Sequence, residues 1–265
     1  YQGTRHNKKH LQFCPACLSE DVPYYKKHWR SSLFTVCTIH GCKLYDSCPN
    51  CNEPVKPIEN DVGNYLPYKG AHTNCSKCGF DLKTSHIESA DLNLQRETNW
   101  YHEILNQGHF SLNGHTWLYS FSIFKVIRHL IRILATKDNK RNYLIKKLDP
   151  DLMDIQMRYQ YLLKLSGIFI KWPSNFLQFC KDNQITYSDF TSIDKTTNPI
   201  PFWLDKHIKT NIYYPNLEPS KQSVISAIRY MRSRDMRLNN VQLNKIMGFK
   251  DSNIIKTVLK SMVKK

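Results

Sequence analysis

Cys14-Pro15-Ala16-Cys17, Cys37-Thr38-Ile39-His40, Cys48-Pro49-Asn50-Cys51 and Cys75-Ser76-Lys77-Cys78 lie in the first 80 residues, and they use seven of the nine cysteines with one histidine. Two donors three positions apart can turn toward a single ion, with backbone N–H groups supporting the thiolates. Two such pairs close a tetrahedron, and a closed four-ligand site is structural rather than catalytic. Pro15 and Pro49 inside the knuckles, and Gly79 after the last one, suit the tight turns involved. The spacing therefore predicts two structural zinc ions; disulfides or free buried thiols are the competing uses. Cysteines grouped in knuckles, not dispersed as in a secreted framework, fit a reducing compartment.

Pairing the knuckles in chain order gives a Cys₃His site (Cys14, Cys17, Cys37, His40) and a Cys₄ site (Cys48, Cys51, Cys75, Cys78). A cross-braced arrangement would join the first with the third and the second with the fourth. Sequential pairing closes shorter loops at lower entropic cost and is the expectation. Cys42 could compete with His40, but its spacing from Cys37 breaks the knuckle, so it reads as a packed thiol near the site. Cys180 reads as a core residue on a helix. Between the first two knuckles, Tyr24–Val36 reads as a strand or hairpin, with Tyr24, Tyr25, Trp29 and Phe34 covering modules too small for much core of their own. His28 there reads as a surface residue.

The 265 residues carry 41% hydrophobic and 12% aromatic side chains, enough to bury a core, and a formal net charge of +16 that favours a polyanionic partner or merely aids solubility. Residues 221–265 hold eleven Lys or Arg against two Asp, which is +9 of that total. Seven zinc-bound thiolates against two Zn²⁺ remove about three further charges from the amino-terminal region. The carboxyl-terminal segment is then the main electrostatic handle. Trp117–Ala135, the most apolar long stretch, is broken by Lys125, Arg128, His129 and Arg132, so no membrane span is expected. Tyr1 in first position reads as a processed or truncated start.

Residues 91–215 read as helices with breaks. One should run from an Asp91 cap to Gln107, stopped by Gly108. A loop over 109–114 should precede a long helix from Thr116 to Ala135, with Arg128 and Arg132 on its solvated side or on phosphate. Asp151 should open a further helix ending at Gly167, and Pro173 a short one to Lys181. No P-loop, nucleophile elbow or helical histidine pair beside a glutamate is present, so no catalytic residue is expected. Asp149, Asp151 and Asp154 could imitate a carboxylate metal set, but Asp151 and Asp154 suit a helix start better.

Residues 216–265 predict three helical segments. The first starts at Pro219, with Val224, Ile225, Ile228 and Met231 on one face. The second is capped by Asn239 or Asn240, with Val241, Leu243, Ile246 and Met247 inward. The turn Gly248-Phe249-Lys250 leads to a third, capped by Asp251 or Ser252 and buried along Ile254, Ile255, Val258, Leu259 and Met262. Two short helices joined by a Gly-containing turn after a supporting helix is a helix-turn-helix pattern. On it, Ser252, Asn253, Lys256, Thr257 and Lys260 face a major groove, with Asn253 addressing adenine and Lys256 a guanine or phosphate. Arg229, Arg232, Arg234, Arg237 and Lys250 hold the backbone. A small helical bundle with solvated lysines, or a surface for a protein partner, shares the pattern. The fold expected is mainly α with little β: tandem zinc-ribbon-like modules over 1–90, a helical domain over 91–215, and a basic helix-turn-helix-like domain over 216–265.

Phe13-Cys-Pro-Ala-Cys-Leu-Ser-Glu-Asp21, Tyr25 with His28-Trp-Arg30, Val36-Cys-Thr-Ile-His-Gly41, Leu44 and Cys48-Pro-Asn-Cys51 together resemble the TniQ/TnsD family of bacterial transposon target-selection proteins. Gly167-Ile-Phe-Ile-Lys-Trp-Pro-Ser-Asn-Phe176 is similar to a family segment built on Trp-Pro followed by an aromatic. The stronger likeness covers residues 10–80. The family usually has a segment ahead of the first knuckle, and it does not carry a cysteine at the position of Cys42. The resemblance implies a non-enzymatic, bacterial cytoplasmic protein that binds double-stranded DNA and recruits an AAA+ ATPase regulator, TnsC-like, to the insertion site. Two other roles stay open: an adaptor that recognises a guide-RNA effector complex, and a transcription regulator with a zinc-ribbon domain.

Overall fold

Four tight knuckles leave little room for regular structure, and the amino-terminal segment is held by short pairings instead. The computed structural model describes residues 11–57, 71–138, 149–193, 199–212, 218–249 and 252–263. They fall into two compact units, residues 1–212 and 213–265, and are mainly helical with one two-stranded sheet.

In the first unit, α1 (Pro15–Leu18) grows out of the first knuckle. Isolated bridges Phe13↔Tyr45, Val36↔Lys43, Ser47↔Pro54 and Asn74↔Asp81 tie the chain across the knuckles. The strand or hairpin expected over Tyr24–Val36 is not formed. A 3-10 turn at Lys27–Arg30 swings Trp29 fully inward, where it packs with Phe13, Leu18, Leu44 and Leu82 around the cysteines. Phe34 turns the other way into the helical core, and Tyr24 stays exposed.

α2 (Leu92–Gln107) runs as its caps dictate. The Asp91 carboxylate accepts from Asn93 and Leu94 N–H, and Gly108 ends the helix at φ +78°. The loop expected next is instead a hairpin, β1 (His109–Leu112) against β2 (His115–Tyr119), with Leu112 opposite His115. Asn113-Gly114 fills its two-residue turn, and an Asn-Gly pair is the strongest short hairpin signal in a sequence. α3 (Ser120–Asp138) therefore starts four residues later than its apolar pattern suggested. α4 (Ile155–Leu165) is capped by Asp154, not Asp151. α5 (Ser174–Asp182), α6 (Tyr187–Ile193) and α7 (Phe202–Asn211) follow. Their core joins Tyr101, Ile127, Leu162, Trp172, Phe176 and Trp203, and Leu33, Phe34 and Val36 from the knuckle region belong to it.

Polar links complete that joint. Arg158 of α4 is 0% exposed. Its guanidinium donates to Gln12 Oε1 (3.3 Å), Ser32 O (3.0 Å), Met153 O (3.2 Å) and Asp46 Oδ2 (3.2 Å). Arg128 and Arg132, expected on a solvated or phosphate-binding face, are taken up by carboxylates. Arg128 bonds both oxygens of Asp151 at 2.7 Å and reaches Asp149 at 3.2 Å, and Arg132 reaches Asp149 at 3.0 Å. That pairing explains why Asp151 does not start a helix. Burial alone would raise its carboxyl, but hydrogen bonds from Arg128 and Ser32 hold it well below the usual carboxylate range.

The second unit contains α8 (Lys221–Ser233), α9 (Asn240–Met247) and α10 (Asn253–Val263), which all pack on one another. Val224, Ile228, Met231, Leu243, Ile255 and Val258 form its core. Val241 and Ile246, expected inward, are 74% and 41% exposed. α9 is only eight residues long, and Leu243 and Asn244 take its inner face.

Candidate functional site

The knuckles are built on one repeated hydrogen-bond plan. In each, the residue after the second donor returns its N–H to the carbonyl of the first donor: Leu18 to Cys14, Gly41 to Cys37, Asn52 to Cys48 and Gly79 to Cys75, at 2.8–3.1 Å. In the last three the first donor's own N–H bonds five residues ahead, to Cys42, Glu53 and Phe80, each at 2.8 Å. This tight reversal needs a left-handed residue after the knuckle. Gly41 (φ +61°), Asn52 (φ +58°) and Gly79 (φ +74°) supply it. Asn52 went unremarked in the sequence, although it stands one place after its knuckle, as Gly41 and Gly79 do. The first knuckle differs by running straight into α1.

The plan gathers the eight donors into two groups, Cys14, Cys17, Cys37 and His40, and Cys48, Cys51, Cys75 and Cys78. Sequential pairing is thus the arrangement adopted, and the cross-braced one is not. In the first group Cys17 and Cys37 Sγ stand 3.6 Å apart, and His40 Nδ1 lies 3.6, 3.3 and 3.8 Å from Cys14, Cys17 and Cys37. In the second, Cys48···Cys78 is 3.7 Å and Cys51···Cys75 is 3.6 Å. A tetrahedron with Zn–S near 2.3 Å and Zn–N near 2.0–2.1 Å has S···S edges of about 3.8 Å and S···N edges of about 3.6 Å. A disulfide would bring sulfurs to about 2.05 Å. The donor chemistry and spacing fit two zinc ions.

The surroundings also fit. Cys78 Sγ accepts from the Phe80 N–H, which helps bring its thiol down to about 6, and the Asn50 amide lies 3.6 Å away. His40 Nε2 stands 3.6 Å from Glu20, the outer partner that orients an imidazole ligand. Hydrogen bonds shared among the crowded thiols draw Cys37 down and push Cys17 up, and a dication would ionise both. Cys42 is buried as expected, outside both groups, with its Sγ 3.3 Å from that of Cys14. Cys180 is a buried core residue of α5.

The second unit carries the basic surface. Arg229, Arg232, Arg234 and Arg237 are exposed, and among the described residues none makes an ion pair; Arg234 stacks over Tyr230. Lys250 lies outside the described residues. Asn253, Thr257 and Lys260 are exposed on α10, and Lys256 is half-buried. Ser252 departs from the expectation. It is 1% exposed and donates to a Glu218 carboxylate oxygen, while the Asn253 N–H donates to the other. Glu218 thereby occupies the amino end of α10, so Ser252 cannot reach a base edge. Gly248 ends α9 in the left-handed conformation and opens the turn toward α10.

Residues 2–44 match the TniQ family model. That segment supports a TniQ-family protein, one associated with transposition. The match spans the first two knuckles, which hold all four donors of the Cys₃His group. No curated protein and no solved structure matches the chain. No helix among the described residues is long and apolar enough to cross a membrane.

Proposed function

We propose that this TniQ-family chain is a TnsD-like target selector, which binds double-stranded DNA and recruits an AAA+ ATPase regulator of transposition without performing chemistry itself. The observation that carries the proposal is the TniQ match over residues 2–44 on a chain whose charge is concentrated elsewhere, in residues 221–265. On this reading residues 1–90 form a zinc-stiffened docking platform, residues 91–215 a helical body, and residues 216–265 the DNA-binding element. The packing of α8, α9 and α10 with a turn opened by Gly248 supports a helix-turn-helix reading of the last. Four exposed arginines that make no ion pair among the described residues support phosphate contact. Asn253, Lys256, Thr257 and Lys260 on α10 are the residues offered to the groove, Ser252 having been withdrawn by Glu218.

Fluorescence anisotropy with a labelled duplex tests the proposal. Asn253→Ala with Lys256→Ala should weaken binding by about tenfold or more, at about 1–3 kcal/mol for a base-contacting pair, with zinc content unchanged. Unchanged affinity would remove the helix-turn-helix proposal. Weak binding indifferent to sequence would favour the adaptor role, in which a guide-RNA effector complex chooses the site.

A further inference from the structure

A cleft in the first unit, of about 820 Å³, has no part in the zinc centres. Its deep wall is a run of rings. Trp100 and Phe169 lie 5.7 Å apart, and Phe169 stacks on Trp172 at 5.9 Å. Leu112 of the hairpin and the exposed Ile170 continue the apolar lining. This is the volume and the kind of surface that takes a bulky apolar side chain.

Charge on the cleft is one-sided. Arg96 and Lys171 are exposed on its rim, and among the described residues neither makes an ion pair. The one acid in the lining, Glu97, is buried beneath them. Its carboxyl accepts from the Tyr101 hydroxyl at 2.9 Å and the Gly167 N–H at 3.3 Å, and among the described residues it makes no ion pair with Arg96 or Lys171. Asn93, Ser111 and Asn113 add exposed amides and a hydroxyl at the same level, suited to the backbone of an extended chain.

We propose that this cleft docks a short acidic segment of a protein partner, seating an aromatic or large aliphatic side chain against Trp100, Phe169 and Trp172 and its flanking carboxylates on Arg96 and Lys171. A nucleotide would also answer to two cations and a ring wall. Reading a base edge takes several free polar groups at depth, and the deep residues here are rings, a carboxyl that is already engaged and a single unpartnered donor, the buried Trp172 Nε1–H. The inference rests on the reading that the chain acts through a protein partner, but not on DNA binding by residues 216–265.

The test is selection of random twelve-residue peptides displayed on phage against the full, zinc-loaded chain, then anisotropy of the enriched peptides. Enriched sequences should carry Asp or Glu within two positions of Phe, Trp, Tyr or Leu. Arg96→Glu with Lys171→Glu should weaken them at least tenfold, and Trp100→Ala should weaken them too. Both variants should keep two zinc ions and wild-type DNA binding, so failure here leaves the DNA reading untouched. Absence of enrichment, enriched peptides without acids, or affinity indifferent to the rim reversal would overturn the proposal. So would binding of fluorescent ATP or single-stranded DNA that the rim reversal abolishes, which would assign the cleft to nucleotides.

Discussion

Arg158→Met asks whether the zinc-bearing segment and the helices are held as one body by a buried cation. The guanidinium is fully enclosed and serves four acceptors, three of them in the knuckle segment at Gln12, Ser32 and Asp46. Burial lowers its pKa from the ordinary arginine value, and Asp46 opposes that shift by pairing with the charged form. Methionine fills much of the volume but leaves Asp46 buried without its cation. Removing one partner of a buried ion pair costs about 3–5 kcal/mol, mostly through the charge left behind. For a unit of roughly 200 residues each kcal/mol moves the melting temperature about 2–4 °C, so the variant should melt roughly 6–20 °C lower. Differential scanning fluorimetry reads this, with zinc content measured in parallel and expected to stay at two. Adding Asp46→Asn to Arg158→Met should recover part of the loss, because the uncompensated charge is then gone. A loss under about 1 kcal/mol, or a double variant no better than the single, would refute the reasoning.

Further consequences are open to simple measurement. Cys75→Ser should lower zinc from two equivalents to one and loosen the second centre, whereas Cys42→Ser should keep both ions, since Cys42 lies beside Cys14 without joining either group; metal analysis separates these outcomes. Gly41→Ala should destabilise the first unit by at least about 1–2 kcal/mol, because its φ is +61° and a Cβ would come within 2.5 Å of Gln95 Oε1; a neutral change in melting temperature would contradict this. Asp151 has a depressed folded-state pKa, so its contribution is full above the unfolded carboxylate value of about 4 and is lost as pH falls through the folded one. Arg128→Gln should accordingly be least stable relative to wild type near neutrality, with the gap closing in acid. Because acid also strips thiolate-bound zinc, the difference between the two chains is the readout, and a gap that widens on acidification would count against the ion pair. If Arg229, Arg232, Arg234 and Arg237 each meet a phosphate, the logarithm of DNA affinity should fall against that of salt with a slope of about −4, and replacing one arginine should flatten it by about 1.

The zinc centres were legible because their chemistry is local: two donors three residues apart need only a turn, and shorter loops decide the pairing. Asp91, Gly108 and the apolar stripe of α3 were legible for the same reason. Four features were not. The helical pattern that overruns Trp117 and Tyr119 hid the hairpin, although Asn113-Gly114 marked it. The side-chain partners of Arg128, Arg132 and Arg158 lie 17 to 146 residues away in sequence, and no periodicity reports such pairings. Ser252 was assigned outward by helix phase, and the capture of its hydroxyl by Glu218 depends on a residue 34 positions earlier. The cleft was invisible for a like reason, since α2, the hairpin turn and the 166–172 segment meet only on folding.

The most direct test of the central claim is selection of preferred duplexes from a random pool by the full chain, run with and without the proposed partner, an AAA+ ATPase regulator of transposition. The account predicts one enriched sequence in both runs, with the ATPase retained on the selected duplex only when this chain is present. A pool that stays random in both runs, or an enriched site that never retains the ATPase, would contradict it.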